Sequence, residues 1–255
     1  TFKKFSRNIF SSFDICLASS LNSKKNLKKL NSNNIKYIGN LKFIKSKTKK
    51  IKLSNSTKLH LDKNKVWCAI STHEPEEKFC METHRLMKKK YSGLITIIIP
   101  RHVNRAQSIF LEAKKLNLNS QILNEESVIN KSSEILIINS YGTLTKYMKY
   151  CKSVFLGKSM MKKLLLVGGQ NPIEAAYAGC FIYHGPYVYN FKEVYDYLYK
   201  NKISKKIHNS KELASNLIKD FERKNKFNKN NINRLNKYGN KILQKTFKEL
   251  KSVIL

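Results

Sequence analysis

From Val66 onward, short apolar runs alternate along the chain with longer stretches in which apolar residues recur at helical spacing. VWCAIS (66–71) has the length of a strand, and PEEKFCMETHRLMKKK (75–90) carries the helical period. LITIIIP (94–100) is apolar throughout, the pattern of a strand covered on both faces. Residues 103–116 predict a helix, EILIIN (134–139) a strand and 144–152 another helix. SVFLG (153–157), a helix opened by Asn171, CFIYHG (180–185) and a helix over 191–199 continue the series. Such βαβα alternation predicts a parallel sheet with helices on both faces, whose ligands bind at the carboxyl ends of the strands. The polar or glycine-bearing stretches STHEP, PRH, NSYGT and GGQNPIE are all expected at such ends.

Before Val66, FDICLAS and IKYIGNLKF predict strands around a helix near residues 24–30, the last βαβ unit of another domain. KSKTKKIKLSNSTK (45–58) has the composition of a linker. KNKFNKNNINRLNKYGNK, near the C-terminus, is polar and weakly periodic. The helix after it is expected to pack through Leu243, Phe247, Leu250 and Ile254. The expected division is residues 1–50, 51–238 and a terminal helix over 239–255. The chain opens on Thr1, not methionine, which fits an expectation that most of the N-terminal domain is missing from it.

Fifty basic against seventeen acidic residues give a formal charge of +33, which favours anionic partners. Most of the basic residues are lysines spread along the whole length, with neither an arginine cluster interleaved with aromatics nor a nucleic-acid reading module. An anionic membrane surface is therefore the expected partner for the excess charge, and nucleic acid is not. The five cysteines form no Cys-x-x-Cys pair and several lie in apolar runs, as reduced core thiols do. No apolar stretch reaches the length of a membrane span and no signal peptide is expected.

GGQNPIEAAYAGC (168–180) admits two readings. In one, Asn171 caps a helix, Pro172 takes its first position and Glu174 completes a capping box. In the other, the glycine turn admits a phosphate and the carboxylate holds sugar hydroxyls.

Taken in order, GNLKF, WCAISTHEPEE, IIIPRH, NSYGT, FLGKS, GGQNPIEAA and HGPYVYNF resemble the 3-deoxy-D-manno-octulosonic acid (Kdo) transferases of lipopolysaccharide synthesis, from about Phe13 to Phe191. The resemblance implies an α/β fold of glycosyltransferase B type. It would comprise a C-terminal Rossmann-like domain that binds CMP-Kdo and the tail end of an N-terminal one, with the active site between the two. It implies transfer of Kdo from CMP-Kdo to a lipid A precursor at the cytoplasmic face of the inner membrane by a peripheral protein. No cofactor or metal is expected. No Asp-x-Asp pair occurs, and Glu77 stands where a His-Glu-x-x-His motif starting at His73 needs its second histidine.

By the same resemblance, Pro100, Arg101 and His102 meet the donor. Arg101 clamps its phosphate or carboxylate, and is one of only six arginines. His102 either donates to the ligand or caps the next helix. Tyr141, Gly142 and Thr143 lie at the cytidine, although the family usually has Gly-Glu where this chain has Gly142-Thr143. Asn171, Pro172 and Ile173 hold the nucleotide, and Glu174 holds its ribose. Lys42 stabilises charge in the transition state, with Ile44 where an aspartate often follows. Pro75 and Lys158 each stand where the family usually has glycine, and Ser71 or Thr72 is a candidate helix cap. The family's general base, a glutamate of the N-terminal domain, has no counterpart here. The chain is therefore expected to bind donor and to be inactive alone. Two other readings remain: a related glycosyltransferase with another nucleotide-sugar donor, and a non-catalytic basic protein that binds nucleic acid or membrane.

Overall fold

The structure, a computed structural model, describes residues 2–45, 53–125, 127–223 and 229–254. These fall into two compact units, one within Thr1–Ser46 and Ile232–Leu255 and the other within Lys47–Asn231. Most of the expected linker, residues 46–52, lies outside the described residues.

The first unit begins with α1 (Phe2–Ser11), then β1 (Cys16–Ala18), α2 (Leu21–Lys29) and β2 (Ile35–Tyr37). β1 and β2 are parallel, as a βαβ unit requires. The second predicted strand ends sooner than IKYIGNLKF suggests, because GNLKF forms a 3₁₀ turn, Leu41–Phe43, in which the Asn40 side chain accepts from the Lys42 N–H at 3.0 Å.

The second unit opens with α3 (Asn55–Lys63), β3 (Lys65–Thr72), α4 (Glu76–Lys88), β4 (Leu94–Pro100) and α5 (Ala106–Lys115). It continues with β5 (Ser120–Leu123), β6 (Ile135–Ile138), α6 (Leu144–Met148), β7 (Ser153–Leu156) and α7 (Ile173–Tyr177). β8 (Phe181–His184), α8 (Lys192–Lys200), β9 (Ser204–Lys206) and α9 (Ser210–Glu222) complete it. The helix expected over 144–152 stops at Met148, where turns Tyr150→Tyr147 and Cys151→Met148 lead the chain into β7. All seven strands are parallel, in the order β5-β6-β4-β3-β7-β8-β9.

The apolar runs form the buried centre of the sheet. Trp67, Ala69, Ile98, Ile135, Ile137 and Phe155 pack with Met81, Ile109, Leu213 and Leu217 of α4, α5 and α9. Burying each such isoleucine or leucine contributes about 1.5–3 kcal/mol. α9 is tied to the sheet by buried Asp220, which accepts from Ser153 Oγ at 2.7 Å and Tyr183 Oη at 2.6 Å. The strand order runs outward in opposite directions from β3 and β7, so these two neighbours flank the topological switch point where open α/β sheets bind ligands.

The last helix, α10 (Lys229–Ile254), starts before residue 239, within the stretch that reads as polar and weakly periodic. It belongs to the first unit from Ile232 on. Its buried line is Leu235 and Ile242 with Thr246, while Phe247 and Leu250 of the predicted face are exposed. Tyr238 meeting the Phe43 ring edge-on at 4.8 Å and a Glu249–Lys36 ion pair fix this rotation.

Candidate functional site

Four loops converge on the carboxyl end of the sheet around the switch point. β3 shifts register between Ile70 and Thr72, with Ser71 in the left-handed region at φ +53°. The Thr72 carbonyl then accepts the Arg101 N–H at 3.1 Å, which joins the start of the STHEP loop to PRH. The Thr72 hydroxyl is buried and has no partner among the described residues. His73 places Nδ1 3.1 Å from the Ser71 carbonyl, so that nitrogen carries the proton. Burial pushes the His73 pKa below its usual value, which favours the neutral ring. His73 and His102 meet edge-on at 5.8 Å.

Glu76 organises the far wall. It is 1 % exposed and accepts from the N–H groups of Lys158 (2.6 Å), Ser159 (2.8 Å), Met160 (3.0 Å) and His73 (3.0 Å). Burial pushes its pKa up while the four N–H groups pull against it. The loop after β7 is thereby fastened to the loop after β3. Lys158 in turn accepts the Gly169 N–H at 2.7 Å, and Ser159 Oγ accepts the Gly185 N–H at 2.9 Å. Asn190 bonds Gly168 O through its backbone (3.0 Å) and Val167 O through its side chain (2.8 Å). GGQNPIE, after β7, and HGPYVYNF, after β8, are thus two interlocked loops. A Cβ on Gly168 would stand 2.3 Å from the Tyr187 carbonyl, so only glycine fits there.

The turn into α7 corrects the capping-box expectation. Asn171 Oδ1 accepts the Ile173 N–H at 3.2 Å, as a cap does, but Glu174 makes no reciprocal bond. α7 is a single short turn after Pro172, with Pro172 and Ile173 buried. Fixing Ile173 underneath leaves the Glu174 carboxylate exposed, with no hydrogen bond or ion pair among the described residues.

Other expected residues separate by what holds them. Pro100 is buried at the end of β4; Arg101 is exposed and makes no side-chain bond among the described residues. His102 is exposed and makes no cap bond, so its capping reading is not realised. Neither Ser71 nor Thr72 caps α4, whose N-cap position is Pro75. Tyr141 is exposed, and Gly142 sits at φ +73° with open space around it. Thr143 is buried, its hydroxyl turned to Ser140. Lys42, exposed on its 3₁₀ turn, belongs to the first unit.

Sequence reasoning missed the residues that position this set. Arg105 pairs with Glu77, which is fully buried, at 2.8 Å and with Glu74 at 3.6 Å. Glu76 and Glu77 read as acidic first-turn residues of a helix, and nothing in their spacing shows that one holds a neighbouring loop and the other an arginine. Lys158 sits in the left-handed region at φ +56°, a conformation that glycine adopts without steric cost. Among the described residues no group of three or more His, Cys, Asp or Glu could hold a metal ion.

No family model matches the chain. A 3-deoxy-D-manno-octulosonic acid transferase of Rickettsia typhi is 27% identical over 244 residues, 95% of this chain and 50% of that protein. The transferase of Aquifex aeolicus is 24% identical over 80% of this chain and 53% of its own length. The chain thus spans about half the length of these curated relatives. Among solved structures, the C-terminal CMP-Kdo binding domain of WaaA from Acinetobacter baumannii matches 74% of this chain and 93% of that domain, with a TM-score of 0.60 and 21% identity. A putative UDP-N-acetylglucosamine 2-epimerase from Listeria monocytogenes matches 94% of this chain and 60% of its own, at 0.58 and 13%. Likeness at such identities speaks for the fold alone. In fold, therefore, the large unit is a Rossmann-like domain of glycosyltransferase B type, and in sequence the chain is similar over nearly its whole length to the 3-deoxy-D-manno-octulosonic acid transferases.

Proposed function

We propose that the crevice at the switch point binds CMP-Kdo, and that this chain supplies the donor side of Kdo transfer to a lipid A precursor. In the reaction an acceptor hydroxyl attacks the anomeric carbon of Kdo as its proton passes to a general base, the bond from that carbon to the phosphate breaks, and CMP leaves. Arg101 clamps the phosphate or the Kdo carboxylate, with His102 as a second donor. Glu174 accepts from the two ribose hydroxyls, and Asn171 with the Pro172–Ile173 backbone holds the nucleotide. The Tyr141-Gly142-Thr143 loop borders the cytosine. Since Thr143 is turned to Ser140, that loop acts through its backbone and Tyr141. No metal takes part.

One observation carries the reading. Arg101 and Glu174, of opposite charge, are exposed and unpaired among the described residues at the carboxyl end of a parallel sheet, in segments that backbone hydrogen bonds fix in place. A helix cap or a surface ion pair would have used them. The strongly basic surface suits peripheral attachment to the cytoplasmic face of an anionic inner membrane. No helix of the described residues is long and apolar enough to cross a membrane.

Titration calorimetry with CMP, UDP and GDP, with and without EDTA, tests the proposal. CMP should bind at least tenfold tighter than either diphosphate, with EDTA making no difference. A preference for UDP or GDP would favour a related transferase with another donor. Transfer of Kdo by the chain alone would contradict its assignment to the donor side only.

A further inference from the structure

We infer that Lys158 is an anion-binding residue of the same crevice, and that its ammonium contacts the phosphate of the bound nucleotide. The inference rests on the donor-site reading and adds a residue to it.

A non-glycine residue at φ +56° is disfavoured by the approach of its Cβ to the backbone, yet here the position carries a long cationic side chain. The backbone of Lys158 is held from both sides, its N–H by Glu76 Oε2 and its carbonyl by the Gly169 N–H. The same Glu76 oxygen accepts the His73 N–H at 3.0 Å, so Lys158 and His73 are direct neighbours across the switch point. His73 faces His102, and His102 follows Arg101. The ammonium is near enough to His73 to add to the downward push that burial exerts on the imidazole pKa. Lys158 is half-buried, and its ammonium has no ion pair or hydrogen bond among the described residues.

Nearby carboxylates are already engaged: Glu76 by four backbone N–H groups, and Glu77 and Glu74 by Arg105. Arg101 and Lys158 thus stand on loops that meet through His102 and His73, and with these carboxylates engaged and Glu174 assigned to the sugar hydroxyls, an anionic group of the ligand is the counter-charge that fits.

The test is CMP affinity of the full chain carrying Lys158→Gly, Lys158→Met or Lys158→Arg, each at about 0.05 M and about 0.5 M salt. Glycine adopts the left-handed conformation without steric cost, so Lys158→Gly keeps the loop. Lys158→Gly and Lys158→Met should weaken CMP binding about five- to thirtyfold at low salt and flatten its salt dependence, while Lys158→Arg keeps most of both. An unchanged affinity and salt slope in Lys158→Gly, beside a wild type that binds CMP, would overturn this inference and leave the donor site standing. A wild type that binds no cytidine nucleotide would overturn the donor-site reading, and this inference with it.

Discussion

Two arginines of one loop show how chemistry divides at the scale of a residue. Arg101 and Arg105 stand four apart, and both have the fork geometry that suits anions. Only Arg105 has found its partner inside the protein, the buried Glu77. Arg105→Ala should cost about 3–5 kcal/mol of stability, because it strands a buried carboxylate. Arg101→Ala should leave the melting temperature within about a degree and weaken CMP binding tenfold or more. Thermal melts and CMP titrations of the two variants check this; the opposite pattern would exchange their roles. The sequence singles out Arg101 because it directly follows a buried strand. It does not single out Arg105, whose partner lies on α4 and becomes a neighbour only when β3 and β4 pair.

Between elements, α4 is joined to the sheet by a buried polar chain. His84, fully buried, bonds Thr96 Oγ1 of β4 at 2.8 Å and places Nε2 3.3 Å from Glu134, the residue before β6. Glu134 also pairs with Lys88 and accepts the Asn119 N–H at 3.0 Å. Burial alone would raise its pKa, but these partners outweigh burial and lower it to about 2. A folded pKa below the unfolded one stabilises the protein fully above about pH 4.5, and that contribution is lost as pH falls towards about 2. Wild type should therefore exceed Glu134→Gln by about 1–2 kcal/mol near pH 6, solvent screening included, with the gap closing near pH 2. Urea unfolding of both proteins across that range reads the difference; a constant gap would show that the charge is not involved.

Much of the element pattern was legible for the same reason that these elements are stable. Strands covered on both faces read as apolar runs, and each was placed within a residue or two. The edge strands β5 and β9 were not seen, since SQIL and SKK are short and only partly buried. The rotation of α10 was hidden because both candidate faces carry apolar residues and its neighbours in the first unit decide which is buried. At the candidate site, the motifs showed which loops meet at the strand ends. They did not show that a single carboxylate, Glu76, holds two of those loops together, because that depends on burial.

For the whole molecule, the charge of +33 and the ordered site make separate contributions. Dispersed lysines favour any anionic surface and lose their pull as salt rises, whereas the crevice selects by geometry. A basic protein without a donor site would bind polyanions with no dependence on Glu174 and no preference among nucleotides. The most direct measurement is therefore the melting temperature of the purified chain with saturating CMP, UMP or AMP, beside Glu174→Ala. The account predicts stabilisation by CMP of about 2.7 kcal/mol at a hundred times its dissociation constant, less with UMP and AMP, and almost none in Glu174→Ala. An equal response to all three nucleotides, or a CMP response that survives in Glu174→Ala, would contradict it.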